Sequence, residues 1–576
     1  MRTHQVVVVG GGLAGLRAAL ELNKRNVKVA VVSKVHPLRS HSVEAQGGIN
    51  ASLGNHPRGS HDTPELHAFD TVKGSDYLAD QQAAMRLTED AVMRIREMEH
   101  WGVPFSRTAD GKIAQRPFGG AGFPRTCFAS DKTGHVLLHT LFEQCVKYEE
   151  ASERGEMVVY DEQIVTGLVV HDGVCRGVVV WDFQTGEIDV IKSEAVVFAT
   201  GGAGRIFGKT TNALISTGLG MAIPYWAGVP IKDFEFVQFH PTTLFGTNIL
   251  MTEGARGEGG FLLNNEGERF LANYDDSRKA MEVAPRDIVA RNMTREIIEG
   301  RGFEDEYLHL DLRHLGREKI LERLPGIRDL AMKFVGVDPI EAPVPVQPGM
   351  HYTMGGIDTD ENGASPIPGF YAAGECACVS VHGANRLGGN SMLETIVYGA
   401  IAGEAAAEYV LGGGSGGGPG DAVFEDTRSR EEARLKGKFN GAGDENPADI
   451  KDELESTMNE KCWVFRDEEK LRAGIEKVEE LKNRYTQITL NSQGLRLNFD
   501  LLWALELGGN LSMAEVMIKG AQRRKESRGS QFRMDYPARD DENWLEHTLA
   551  YHTEEGPRFE SSGVDLSIWE PKERKY

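Results

Sequence analysis

Gly10, Gly12 and Gly15 stand in the spacing G-x-G-x-x-G between an apolar run and a helical-pattern stretch. In a strand–turn–helix unit the first glycine permits the tight turn. The second lets the backbone approach a pyrophosphate, and the third lets the helix pack on the strand. Amides at the helix start, from Leu13 and Ala14, then face the phosphates with the helix dipole behind them. The spacing predicts a dinucleotide site. The acidic residue expected after the second strand of an NAD site is absent, and Ser33 and Lys34 stand there instead. A serine can bond a ribose diol, but the NAD fingerprint is broken, which favours FAD. Farther on, Ser391-Met392-Leu393-Glu394 has capping-box spacing ahead of an Ala-rich helical stretch. It predicts another helix N-terminus suited to negative charge.

The other reactive side chains are ambiguous one at a time. His240 and His351, taken singly, read as hydrogen-bonded structural residues. Arg286 beside Asp287 reads as half of an ion pair. Arg386 carries the fork that grips a carboxylate through two parallel hydrogen bonds. None of the six cysteines forms C-x-x-C, and no spacing suits zinc or an iron–sulfur cluster. A disulfide oxidoreductase with a redox-active pair is thereby excluded. Cys376 and Cys378 are expected on opposite sides of a strand, and all six read as reduced, buried thiols.

The elements that must position these residues follow from the pattern. Gln5 to Val9, Leu13 to Arg25 and Val27 to Val32 read as a βαβ unit, which implies a parallel sheet. Two later strands, Ala195 to Thr200 and Gly369 to Ala373, run into Gly201 and Gly374, where α/β sheets place ligands. The fold class is α/β: a Rossmann-like FAD-binding domain with an inserted α+β capping domain, then a helical domain and a C-terminal tail. We place the FAD-binding domain at 1–236 and 349–411, with the cap at 237–348. The glycine-rich linker (412–420) and helical domain fill 412–528, and the C-terminal region 529–576. With 576 residues, several domains are expected. A net charge of -22 argues against a nucleic-acid role. No segment reads as a membrane span, a signal peptide or a transit peptide, so the chain is expected in the cytoplasm or already processed.

The segment Arg39-Ser40-His41-Ser42-Val43-Glu44-Ala45-Gln46-Gly47-Gly48 closely resembles the flavin-bearing segment of succinate dehydrogenase and fumarate reductase flavoprotein subunits. The resemblance runs nearly the whole chain. It includes Arg116-Pro117-Phe118-Gly119-Gly120, Asp131-Lys132-Thr133-Gly134-His135, Ala199-Thr200-Gly201-Gly202 and Gln238-Phe239-His240-Pro241-Thr242. It continues through Thr252-Glu253-Gly254-Ala255-Arg256-Gly257, His351-Tyr352-Thr353-Met354-Gly355-Gly356, His382-Gly383-Ala384-Asn385-Arg386 and Arg539-Asp540-Asp541-Glu542-Asn543-Trp544. The resemblance implies FAD bonded covalently through His41, with Ser40, Ser42, Gln46, Gly47, Gly48, Ala199 and Gly201 around it. It puts Glu375 near the ribityl or ribose region and the helix start at Ser391 and Met392 beside the isoalloxazine, with Arg386 also near the flavin.

By the same resemblance His240, Thr252, His351 and Arg386 bind a C4 dicarboxylate, succinate or fumarate. Arg286 moves the proton, with Glu253 and Arg256 as its relay to solvent. An iron–sulfur subunit and a quinone-handling membrane anchor are implied as partners. The implied location is peripheral, on the cytoplasmic side of a prokaryotic plasma membrane. Succinate oxidation is the expected sense, fumarate reduction the alternative. L-Aspartate oxidase, whose FAD is not covalent, is a more distant one, and a fold that has lost its chemistry is the non-enzymatic reading. Two departures stand out. Leu219 replaces an aspartate that helps bind FAD in the family, and Gln531 replaces a histidine near the C-terminus. No catalytic role is expected of Gln531.

Overall fold

The computed structural model describes residues 1–151, 157–416, 418–440 and 443–575. Residue 417 of the expected glycine-rich linker lies outside them. A five-stranded parallel sheet forms the floor. Val6–Val9 lies at its centre, between Ala195–Phe198 and Val29–Val32, with Phe370–Ala372 and Met157–Tyr160 at the edges. All four residues of Val6–Val9 are buried, as continuous apolar runs require in a sheet covered on both faces. The helix Leu13–Lys24 follows the first glycine turn. Gly10 has φ +115, and a Cβ there would lie 2.2 Å from the Ala199 carbonyl oxygen. A Cβ on Gly15 would lie 1.9 Å from the Gly10 oxygen. Any side chain would push strand and helix apart.

A second antiparallel sheet carries the cap. Val237–Leu244 pairs with Val344–Thr353, which pairs with Leu308–Asp311 and then Phe261–Leu263. With the helices Arg286–Ile298 and Pro325–Val335 it encloses a hydrophobic core of its own, which includes Leu244, Val289, Leu310 and Val346. The helices Pro447–Lys461, Glu468–Tyr485 and Phe499–Arg523 pack on the floor domain through a shared core. Contrary to the sequence expectation, Phe499–Arg523 is long and apolar enough to cross a membrane. Its apolarity has a local cause, because most of the helix is buried inside the protein.

The chain end returns to the floor domain. Glu546–Tyr551 pairs with Ile231–Lys232, and Arg558–Gly563 adds outside it. A buried clasp secures this return. His547 Nδ1 lies 2.6 Å from Asp233, and Nε2 lies 3.2 Å from Asp80. Burial opposes a charge on the ring, but the two carboxylates win and push its pKa up to about 9. A raised histidine pKa gives stability that is complete below the unfolded value near 6.5 and is lost as pH rises through about 9. His547→Asn is therefore expected to flatten the fall in melting temperature between pH 6.5 and 9.5. Equal falls in the two proteins would exclude the clasp.

The six cysteines are all free and buried. Cys376 and Cys378 do not share a strand as expected. Cys376 closes a 3-10 turn and meets the Thr200 amide, whereas Cys378 ends the short strand Ala377–Cys378.

Candidate active site

A cavity of about 1080 Å³ opens at the carboxyl ends of Val6–Val9, Ala195–Phe198 and Phe370–Ala372 and runs to the cap. Gly10, Gly12, Leu13 and Ala14 form one wall, with Ser33 and Lys34 beyond them. Ser40, His41, Ser42, Gln46, Gly47 and Gly48 run along the side. Ala199, Gly201, Glu375, Ser391 and Met392 complete the floor. Two expected residues do not line it. Gly15 serves strand–helix packing, and Arg256 lies behind Glu253, 1% exposed.

The lining fits a polar, elongated ligand. Buried Ser40 Oγ, Gln46 Oε1, Thr200 Oγ1, Asn212 Oδ1 and Arg386 Nε have no protein partner, and all five residues line the cavity. Buried polar atoms are nearly always bonded, so a ligand that supplies partners is what this set calls for. Glu375 accepts from the Thr353 amide at 3.1 Å, and burial pushes its carboxyl up to about 7. His41 Nδ1 lies 3.1 Å from Glu44 Oε2 and 3.3 Å from the Ala213 amide nitrogen; protonated it donates to Glu44, and only when deprotonated does it accept from Ala213. Its side chain is 28% exposed. Enclosure works against a charge on this ring, but Glu44 and then Glu375 raise its pKa above the ordinary value. Both recorded contacts use Nδ1, which leaves Nε2 for a bond to a ligand.

The helix at this end begins differently from the sequence expectation. It runs Asn390–Leu411 with Gly389 as its cap, and no side chain bonds its first amides. Glu394 is drawn away from the predicted capping box. It accepts from the Tyr352 hydroxyl at 2.6 Å and sits 2.8 Å from His382 Nε2. The helix start still borders the cavity, with its amides open to a ligand. Leu219 begins the helix Leu219–Trp226 and lines the cavity among Thr217, Gly218 and Ile223. Lys34 is tied to the Ile215 carbonyl at 2.9 Å and to Glu506. Gln531 is bonded to Arg466 and donates to the Ala521 carbonyl at 3.0 Å, away from the cavity.

At the cap end the ionisable groups converge. Arg286 donates through Nε and Nη2 to Glu253 Oε2, both at 2.7 Å. Its Nη1 reaches Gln238 Oε1 at 3.0 Å, and Arg386 Nη2 reaches the same oxygen at 2.8 Å. Gln238 thus bridges two guanidinium groups. No role is expected of Gln238 from the sequence motifs alone. The signal was present, because Gln238 and His240 sit two apart on one strand and so share a face. Arg386 also lies 4.4 Å over the Tyr352 ring. The His240 and His351 rings lie 5.0 Å apart. The Thr252 hydroxyl accepts from the Gly254 amide at 3.2 Å and borders the same space.

Burial sets the charge states here. It drives the His240 and His351 pKa values well below the ordinary value, and Arg286 adds to the effect in each case. It lowers Arg386 to about 9, with Arg286 next, and Arg256 to about 10 against the pull of Glu253. Burial also opposes ionisation of Glu253, but Arg286 and Arg256 outweigh it and hold the carboxyl below its ordinary range. Guanidinium groups thus crowd around a single bonded carboxylate. Such a site favours a dianion, whose second carboxylate relieves the remaining positive charge.

Comparison with known proteins places the chain. The FAD binding domain family matches residues 5–392, and the fumarate reductase flavoprotein C-terminal family matches residues 451–576. The fumarate reductase flavoprotein subunit of Mycobacterium tuberculosis is 44% identical, over 100% of this chain and 99% of that one. The succinate dehydrogenase flavoprotein subunit of Rickettsia bellii is 43% identical, over 96% of this chain and 93% of that one. The solved quinol fumarate reductase flavoprotein of Escherichia coli superposes with a TM-score of 0.94 at 42% identity, over 100% of this chain and 99% of that one. The chain belongs to the succinate dehydrogenase and fumarate reductase flavoprotein subunit family, and it is an FAD-dependent oxidoreductase.

Proposed function

We propose that the chain interconverts succinate and fumarate in the cavity between floor and cap, with Arg286 as the proton-transfer residue. The observation that carries this reading is the Arg286–Glu253–Gln238–Arg386 cluster, whose charged members line one cavity with the His240–His351 pair. FAD, when bound, supplies hydride acceptance and donation. It would lie along Gly10 to Ala14, Ser33 and Lys34, with Glu375 near its ribityl or ribose region and His41, Gln46, Ser391 and Met392 toward its ring. His41 Nε2 is the nitrogen for the covalent tether.

The chain's own residues do the rest. Arg386 forks onto one carboxylate of the dianion. In the tautomer whose Nδ1 accepts from the Thr242 amide at 3.2 Å, rather than donating to the Thr242 carbonyl at 3.0 Å, neutral His240 presents Nε2–H to the other. His351 does the same when the Thr211 hydroxyl donates to its Nδ1 at 2.8 Å. Thr252 adds its hydroxyl proton. Arg286 gives a proton to the carbon next to the hydride site, or takes it in the reverse sense. The arginine is held for this role by two bonds to Glu253 and one to Gln238. Glu253 resupplies Arg286. Behind it Arg256 bonds the Glu282 carbonyl, and the Glu282 carboxylate is paired with the half-exposed Arg269. Arg256 meets Glu253 through its charge alone, with Nε and Nη2 unpartnered, and Arg269 marks the solvent end of the group. The same groups serve both directions, because one transition state is shared.

Electrons leave to an iron–sulfur subunit and then to a membrane anchor that handles quinone. The chain thus works as a peripheral subunit on the cytoplasmic side of a prokaryotic plasma membrane. The quinone-linked partners are supported by a solved relative, a quinol-fumarate reductase with menaquinol molecules. His41→Ser is expected to leave no flavin on the polypeptide after acid precipitation, while the folded protein still holds FAD. Flavin that stays bonded to that variant would place the tether elsewhere and reject His41.

A further inference from the structure

The last residues of the chain reach the active-site helix. Beyond Arg558–Gly563 the tail follows the floor domain. The Ile568 and Trp569 amides both donate to Gln81 Oε1, at 2.7 and 2.6 Å. Trp569 packs edge-on to Phe69 with ring centres 5.6 Å apart. The Lys572 carbonyl accepts from Arg539 at 2.9 Å, and Arg539 is paired with Asp76. Arg574 then turns inward and is 9% exposed. It donates to the Gly74 carbonyl at 3.2 Å and pairs with Asp287, whose side chain is 2% exposed.

Asp287 is the second residue of the helix Arg286–Ile298 and follows Arg286 directly. Its Oδ1 has no partner, and its next cation, Arg291, is 3.7 Å away. A buried carboxylate needs a close opposite charge. Arg574 supplies it from the floor side, while the helix belongs to the cap. The ion pair therefore fastens the cap to the floor beside the residue that must meet the substrate.

We infer that the C-terminal tail is a strap for the active site: Arg574 holds Asp287 and thereby fixes the helix start that carries Arg286. Arg574 is a positioning residue, since it touches neither the cavity nor the reacting atoms. This inference rests on the proton-transfer reading of Arg286. A loosened helix start shifts the guanidinium against Glu253 and Gln238, and small misplacements of a reacting group are costly.

The test uses the holoenzyme. Arg574→Gln and Asp287→Asn are each expected to lower kcat per bound flavin about 10–100-fold, with KM changed far less. Flavin content stays unchanged, and amide hydrogen exchange over 286–290 accelerates. The double variant is no slower than the worse single one, because both remove one interaction. Arg574→Lys keeps the charge and recovers most of the rate, which also covers the case of a poorly folding glutamine variant. Unchanged kcat and exchange in Arg574→Gln, or effects that multiply in the double variant, would overturn the strap. A lower melting temperature with normal kcat would reduce the tail to a structural fastening and overturn it as well. Absence of succinate and fumarate turnover in the unsubstituted holoenzyme would instead remove the functional reading, and the exchange data would still judge the strap.

Discussion

Arg286→Gln is expected to slow succinate oxidation and fumarate reduction together by roughly 10²–10⁴-fold, the usual contribution of a positioned acid–base group. Glutamine keeps a donor near Glu253 and Gln238 but cannot transfer a proton. Arg286 is buried and bonded to both residues, so its loss also leaves Glu253 with Arg256 as its nearest compensating charge. A melting curve separates the two effects, because a folded, flavin-loaded and inactive variant isolates the proton step. Dicarboxylate binding, read from the perturbed flavin spectrum, is expected to weaken less than turnover. Arg286→Lys should fail similarly, since it loses the fork that meets Glu253 through two nitrogens. Near-normal turnover in either variant would remove Arg286 from the mechanism.

Arg386→Lys is expected to lower kcat/KM about 10–100-fold, the loss of one or two charge-assisted hydrogen bonds. Lysine keeps the charge but not the planar fork. It also gives up the bond to Gln238 and the stacking over Tyr352. Initial rates over a range of succinate concentrations check this, with the fall appearing mainly in KM. A change confined to kcat would move Arg386 from substrate binding to the chemical step. Gln238→Leu provides a second reading of the same bridge. It leaves both guanidinium groups without their shared acceptor and should weaken dicarboxylate binding in the same sense.

The floor domain was largely legible in the sequence because its signals are steric and local. Gly10 and Gly15 sit where a Cβ would strike backbone. The runs Val6–Val9 and Ala195–Phe198 are continuously apolar because both faces are covered. The capping-box spacing does not form a capping box in the structure, for a physical reason. Ser391 and Glu394 have the right spacing, but Gly389 starts the helix, and Tyr352 with His382 claims the Glu394 carboxylate. Those partners lie far away in the chain, and local pattern does not reveal them. Arg574 and Asp287 are 287 positions apart, so their ion pair left no trace in the spacing. Gln238 was accessible through strand alternation with His240. Leu219 departs from the family pattern, and the structure places it in the cavity wall, against Gly509 of the helix Phe499–Arg523.

Exchange of a hydride and a proton with a C4 dicarboxylate in this cavity is what the site residues are arranged to do. Anaerobic titration of the purified flavoprotein with succinate tests it most directly. Succinate is expected to bleach the oxidised flavin band, fumarate to restore it, and Arg286→Gln to abolish both responses with its flavin in place. A band untouched by succinate and fumarate but bleached by L-aspartate would contradict it.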